Sequence, residues 1–163
     1  MDTNAILKRA DELFDDDRAP EAGAYLEKMA EQAISEERYG TAMSLFNELT
    51  GYYRNTGNLD AAWRCVDEIV RLLDLLDLWG TADAATAMLN IASVYKAAGD
   101  PAAALAIYKK CEPVFMSENV GDRRFLSARP CNIKMHHAEL HRKYNKKGNH
   151  HIQQCGCRPL STL

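Results

Sequence analysis

Apolar residues recur along most of the chain at three- and four-residue steps, and short polar clusters interrupt them. From Phe46 to Ile69 the apolar or small positions are Phe46, Leu49, Thr50 and Tyr53, then Ala62, Val66 and Ile69, with Gly57 between the two sets. Each set covers one face of a helix with 3.6 residues per turn, so the segment predicts two amphipathic helices joined by a short connection. The same spacing returns 42 residues later as Met88, Ile91, Ala92 and Tyr95, Gly99, then Ala104, Tyr108 and Cys111. A third copy lies 40 residues upstream of the first: Ile6, Ala10 and Leu13, a turn at Asp16-Asp17-Arg18, then Ala22, Leu26 and Met29.

The punctuation supports this register. Gly57 and Gly99 stand where a helix closes on a left-handed residue, Asn58 and Asp100 follow as N-caps, and Pro101 suits a first helical position. Ala61, Ala62, Ala103 and Ala104 supply small side chains at a helix contact. Residues 3 to 121 are therefore expected to form six helices paired as antiparallel hairpins, without strands. Tyr53, Ala62, Tyr95, Ala104 and Tyr108 are expected to be largely buried, and Trp63 and Trp79 to belong to the core. The leucine-rich stretch from Leu72 to Trp79 predicts a helix end packed on both sides.

This order of residues resembles the tetratricopeptide repeat family: a large residue, a small one, a Tyr, a Gly-Asp or Gly-Asn turn, an Ala, an aromatic and a small residue. Met88 to Cys111 matches it best, through Met88, Ala92, Tyr95, Gly99-Asp100, Ala104, Tyr108 and Cys111. The repeat length of 40 to 42 exceeds the roughly 34 of the common form, so the likeness is to long-repeat members. The resemblance implies an all-α fold, a right-handed superhelix of antiparallel hairpins with about three repeats. It also implies a binding groove lined by the first helix of each unit. By register that groove takes Asn4, Lys8 and Asp11, then Asn47, Glu48, Gly51 and Arg54, then Leu89, Asn90, Ser93 and Lys96. Relatives that grip a C-terminal carboxylate use a Lys, two Asn, a further Lys and an Arg at places that here hold Leu7, Asp11, Glu48, Thr86 and Asn90. Only Asn90 keeps an N–H donor at its place, and the two acids would repel a carboxylate.

A fourth unit begins and then fails. Gly121, Ser127 and Ala128 fall in register with Gly80, Thr86 and Ala87, but Pro130 lands on the mid-helix position of Leu89, where proline costs about 3 kcal/mol. Arg129, Cys131 and Lys134 land where apolar or small residues belong. The chain is thus read as a repeat domain over residues 1–121 and a broken fourth repeat with a basic tail over 122–163, a native tail or an altered reading frame. Within that tail a short helix from about Cys131 to Lys147 is expected.

Charge follows the same division. The 163 residues carry a net charge of -3, with 21 Asp/Glu against 11 Lys/Arg up to residue 121 and 2 against 9 after it. All five histidines (His136, His137, His141, His150, His151) and Cys131, Cys155 and Cys157 also lie in the basic part. As ligand types these suit zinc, nickel or copper, but Cys-x-Cys without a second pair is poor spacing, and no metal site is assigned. A basic tail with Phe125 and Tyr144 as its only aromatics, beside an acidic body, argues against nucleic-acid binding. At 47% apolar and 26% charged the chain reads as globular. Its longest apolar run, Ala102 to Tyr108, is far short of a membrane span, and the acidic first residues do not resemble a secretory signal. The cytoplasm is the expected location, with Cys65 and Cys111 as buried reduced thiols.

No glycine-framed nucleophile, oxyanion-hole loop or phosphate-cradling glycine run is present, so no enzyme activity and no cofactor are expected. The leading expectation is a noncatalytic scaffold that binds a protein or peptide, preferring basic segments, through Lys8, Asp11, Asn47, Glu48, Arg54, Asn90, Ser93 and Lys96. The basic tail from Arg123 is itself a candidate occupant. The alternatives are a structural fragment of a larger repeat regulator and a metal-binding tail. An uncapped last repeat would add a tendency to self-associate.

Overall fold

The computed structural model describes residues 1–116, with side chains through residue 112. They form six α-helices: α1 (Thr3–Asp15), α2 (Ala19–Ser35), α3 (Tyr39–Asn55), α4 (Leu59–Leu75), α5 (Ala82–Ala97) and α6 (Pro101–Met116). No strand occurs among the described residues. The fold is all-α, as the periodicity predicts. The broken fourth repeat and the tail fall outside the described residues.

All five helix-to-helix connections start with one backbone device. The N–H two residues beyond the cap returns to the carbonyl five residues earlier: Arg18 to Leu13, Arg38 to Ala33, Asn58 to Tyr53, Leu78 to Leu73 and Asp100 to Tyr95, at 2.8 to 3.1 Å. The residue just before each of these donors is left-handed: Asp17 (φ 57°), Glu37 (56°), Gly57 (76°), Asp77 (50°) and Gly99 (84°). This is the Schellman closure, which satisfies two carbonyls that the helix end would leave unpaired. In four of the connections the last residue is also the cap of the following helix, so three residues both stop one helix and start the next. The predicted N-caps are in place: Asn58 Oδ1 accepts from the Ala61 N–H at 3.2 Å, and Asp100 Oδ1 from the Ala103 N–H at 2.9 Å. The link from α4 to α5 is longer, with Gly80 and a Thr81 cap whose hydroxyl accepts from the Ala84 N–H at 3.2 Å.

Each helix packs against its chain neighbours, and α3 lies against both α1 and α5, so the first helices of the three hairpins stand in a row. Ile6, Ala10, Leu26, Ala30, Leu45, Leu49 and Cys65 form one continuous core across α1 to α4. Each of its fully buried leucines stabilises the fold by about 1.5–3 kcal/mol relative to exposure. Between the second and third hairpins Trp63 meets Tyr95 edge to face, with centroids 4.9 Å apart. Between the first and second, Gly23 lies under the ring of Tyr52, which a Cβ at that position would meet at 2.4 Å. A side chain at Gly23 would have to push the outer end of the Tyr52 ring aside.

Ala62, Tyr95, Ala104 and Trp63 are buried as expected. Tyr53, Tyr108 and Trp79 are not: all three are half-buried. Their polar ends explain it. The Tyr53 hydroxyl donates to Glu27, the Tyr108 hydroxyl pairs with Ser93 Oγ at 3.2 Å, and the Trp79 indole N–H donates to Asp74 at 2.8 Å, each on a partly open surface. The end of α4 is also less enclosed than its leucines suggest, since Leu72 and Leu73 are buried but Leu75 is exposed.

Candidate functional site: the face shared by α1, α3 and α5

The register that places apolar residues between the helices turns the intervening polar ones outward. On α1 these are Lys8 and Asp11, both exposed; on α3, exposed Glu48 with half-buried Asn47 and Arg54; on α5, half-buried Asn90 and Ser93 with exposed Lys96.

One hydrogen bond and one like-charge repulsion act between these helices. Asn90 donates an amide N–H to the Asn47 carbonyl oxygen at 3.2 Å, which ties α5 to α3 and leaves further amide donors and acceptors available. Partial loss of hydration, and after it the like charge of Asp11, raises the Glu48 carboxyl above its ordinary range, although the side chain stays exposed to solvent. The carboxyls of α1 and α3 therefore share one electrostatic environment. A cation placed between them would relieve both the repulsion and the loss of hydration.

The remaining residues are arranged differently. The Ser93 hydroxyl donates to its own Leu89 carbonyl at 2.9 Å and meets Tyr108, which ties it to the seam between α5 and α6. Arg54 donates to the side chain of its neighbour Asn55 at 3.3 and 3.4 Å. At two further positions of the register, Leu7 packs against the core and Thr86 is exposed with its hydroxyl on the Ala82 carbonyl. A contact the sequence does not signal, Thr3 Oγ1 to Thr41 Oγ1 at 2.8 Å, joins α1 to α3.

No group of His, Cys, Asp or Glu able to hold a metal ion occurs among the described residues. Burial pushes the Cys65 thiol up to about 12 and the Cys111 thiol to about 11, so both stay protonated at neutral pH. Among the described residues no helix is long and apolar enough to cross a membrane. The chain matches no protein-family model, no curated protein and no solved structure.

Proposed function

We propose that the protein is a noncatalytic scaffold that binds an extended basic peptide, or a basic segment of a protein, across the polar face of α1, α3 and α5. In this reading the three hairpins stack as a right-handed, tetratricopeptide-like superhelix, and the row of first helices lines its inner side. The observation that carries the reading is that one face holds the Asn47–Asn90 hydrogen bond together with the mutually repelling carboxyls of Asp11 and Glu48. The acids take Lys or Arg side chains, and the amides hold the peptide backbone through hydrogen bonds worth about 1 kcal/mol net each. Arg54 and Lys96 sit toward one end of this row and bias the peptide against cations there.

The test is fluorescence anisotropy with a lysine-containing peptide library at low and high salt, on the wild-type chain and on Asp11→Asn/Glu48→Gln. Affinity should fall with salt and fall by roughly tenfold in the double variant, as for loss of charge-assisted contacts. Binding insensitive to both would refute the reading.

A further inference from the structure

We propose that Gly51 opens a slot on the face shared by α1 and α3 that takes the extended side chain of one lysine, its ammonium group between Asp11 and Glu48. This rests on the basic-peptide reading of that face and names the residue its acidic end grips. Gly51 is a glycine that neither backbone nor packing accounts for. It lies in the interior of α3, where glycine weakens a helix relative to alanine. Gly57 and Gly99 adopt positive φ, and a Cβ at Gly23 would meet the Tyr52 ring. Gly51 has neither feature: its φ is not positive, and a Cβ built there would meet nothing within 4 Å. Gly40 is equally open but stands in the first turn of α3, outside the interior. A break of local preference that packing does not repay marks a place where the empty space itself has a use.

The surroundings of that space match a cation on an aliphatic stem. Residues three apart on a helix are neighbours, so Phe14 adjoins Asp11 on α1 and Gly51 adjoins Glu48 on α3. The rings of Phe14 and Tyr52 meet across the two helices with centroids 6.0 Å apart, one turn beyond the mutually repelling Asp11 and Glu48. Phe14, Gly51 and Tyr52 are each half-buried, which leaves an apolar, partly open surface beside the acids. Arg54, a turn further along α3, sets positive charge at the opposite end. A lysine lying over Gly51 therefore rests its methylenes on this surface and carries its ammonium back to the acids, away from Arg54. One helical turn is about 5.4 Å, within reach of its four-carbon stem. Two carboxyls on separate helices suit an ammonium, which donates in three directions, better than a guanidinium fork, which matches the two oxygens of one carboxylate.

Fluorescence anisotropy on the full chain at pH 7, with labelled deca-lysine, deca-ornithine and deca-arginine, tests this. Ornithine keeps the charge and lacks one methylene, so deca-ornithine should bind wild type about fourfold more weakly, the effect of one buried CH2. Gly51→Leu fills the slot and leaves both acids in place. It should weaken deca-lysine binding by about tenfold or more, since the stem loses its contacts, and erase the difference between lysine and ornithine. Helical circular dichroism and melting temperature should hold or rise, because leucine favours a helix over glycine. Gly51→Ala, with one added methyl, should fall between the two and carries the test if leucine disturbs the fold. Deca-arginine should lose less affinity than deca-lysine on Gly51→Leu; an equal or larger loss overturns the assignment to lysine. Deca-lysine binding that falls in Asp11→Asn/Glu48→Gln but holds in Gly51→Leu overturns the slot and leaves the basic-peptide reading standing, as does equal wild-type affinity for lysine and ornithine. A wild type that binds no deca-lysine overturns both.

Discussion

At the scale of single residues, Glu48 shows how an outward-facing carboxylate can cost stability. Its carboxyl pKa is raised in the folded chain, by partial burial first and by Asp11 second. A folded pKa above the unfolded one means that the folded state holds its proton more tightly, so this contribution to stability is present at low pH and declines as pH rises through the folded pKa. Glu48→Gln should therefore stabilise the protein at pH 7 by about 0.5 kcal/mol or less, the scale of an exposed like-charge contact. The gain should vanish below the ordinary carboxylate range. Urea titrations at pH 7 and pH 3.5 would measure it, and an equal gain at both values would contradict the electrostatic origin.

Sequence reached this residue and stopped short of its partners. Asp11 and Glu48 are identifiable from helical register alone, because register fixes which face a residue occupies. Whether two outward side chains on different helices meet depends on interhelical spacing and rotamers, which no spacing rule encodes. The same limit applies to Asn47 with Asn90 and to the turn of Ser93 toward Tyr108. Tyr53 and Tyr108 illustrate a related gap: the pattern counts them as core, whereas their hydroxyls hold them at its edge.

At the scale of elements, the three-residue connections govern the fold more than the glycines that advertise them. The turn at Asp16-Asp17-Arg18 and the one at Glu36-Glu37-Arg38 have the same backbone as Thr56-Gly57-Asn58, although neither contains glycine. Sequence reading recognises the device at Gly57 and Gly99 because glycine adopts positive φ freely, and it misses Glu37 and Asp77, where a side chain is forced into it. That force is measurable. Glu37 at φ 56° carries a left-handed strain of about 1–2 kcal/mol. Glu37→Gly should recover about 1 kcal/mol of it, the difference being the added freedom of glycine in the unfolded chain. Differential scanning calorimetry should show a rise of about 3 °C; a lower melting temperature would mean that the Glu37 side chain makes a contribution larger than the strain.

At the scale of the whole molecule, stability is distributed along a row of nearest neighbours. The third hairpin touches the rest through α3 and α4 on α5, and the longest connection separates it from them. Helices that pack mainly on their chain neighbours need not unfold in one step. Ala104 is 2% exposed, so Ala104→Glu places an unpaired charge in a helix contact at a cost of several kcal/mol. Hydrogen exchange read by mass spectrometry should show α5 and α6 losing protection while α1 to α3 keep most of theirs. Wild-type protection in α6 would show that the position tolerates a charge and that the repeat register is wrong there.

The polar outer surface of α1 has a consequence for the order in which the protein comes into being. Synthesis delivers the chain from its N-terminus. Of the described helices α1 is made first, and it turns Arg9 and Glu12 outward at the positions where α3 and α5 carry Leu45, Leu49, Ile91 and Val94. Each later helix that carries Leu45, Leu49, Ile91 or Val94 emerges beside a hairpin already able to receive it. Growth then leaves an apolar seam waiting on one side only, the side still being made, and each seam stays open for about twenty residues of elongation before the next helix covers it.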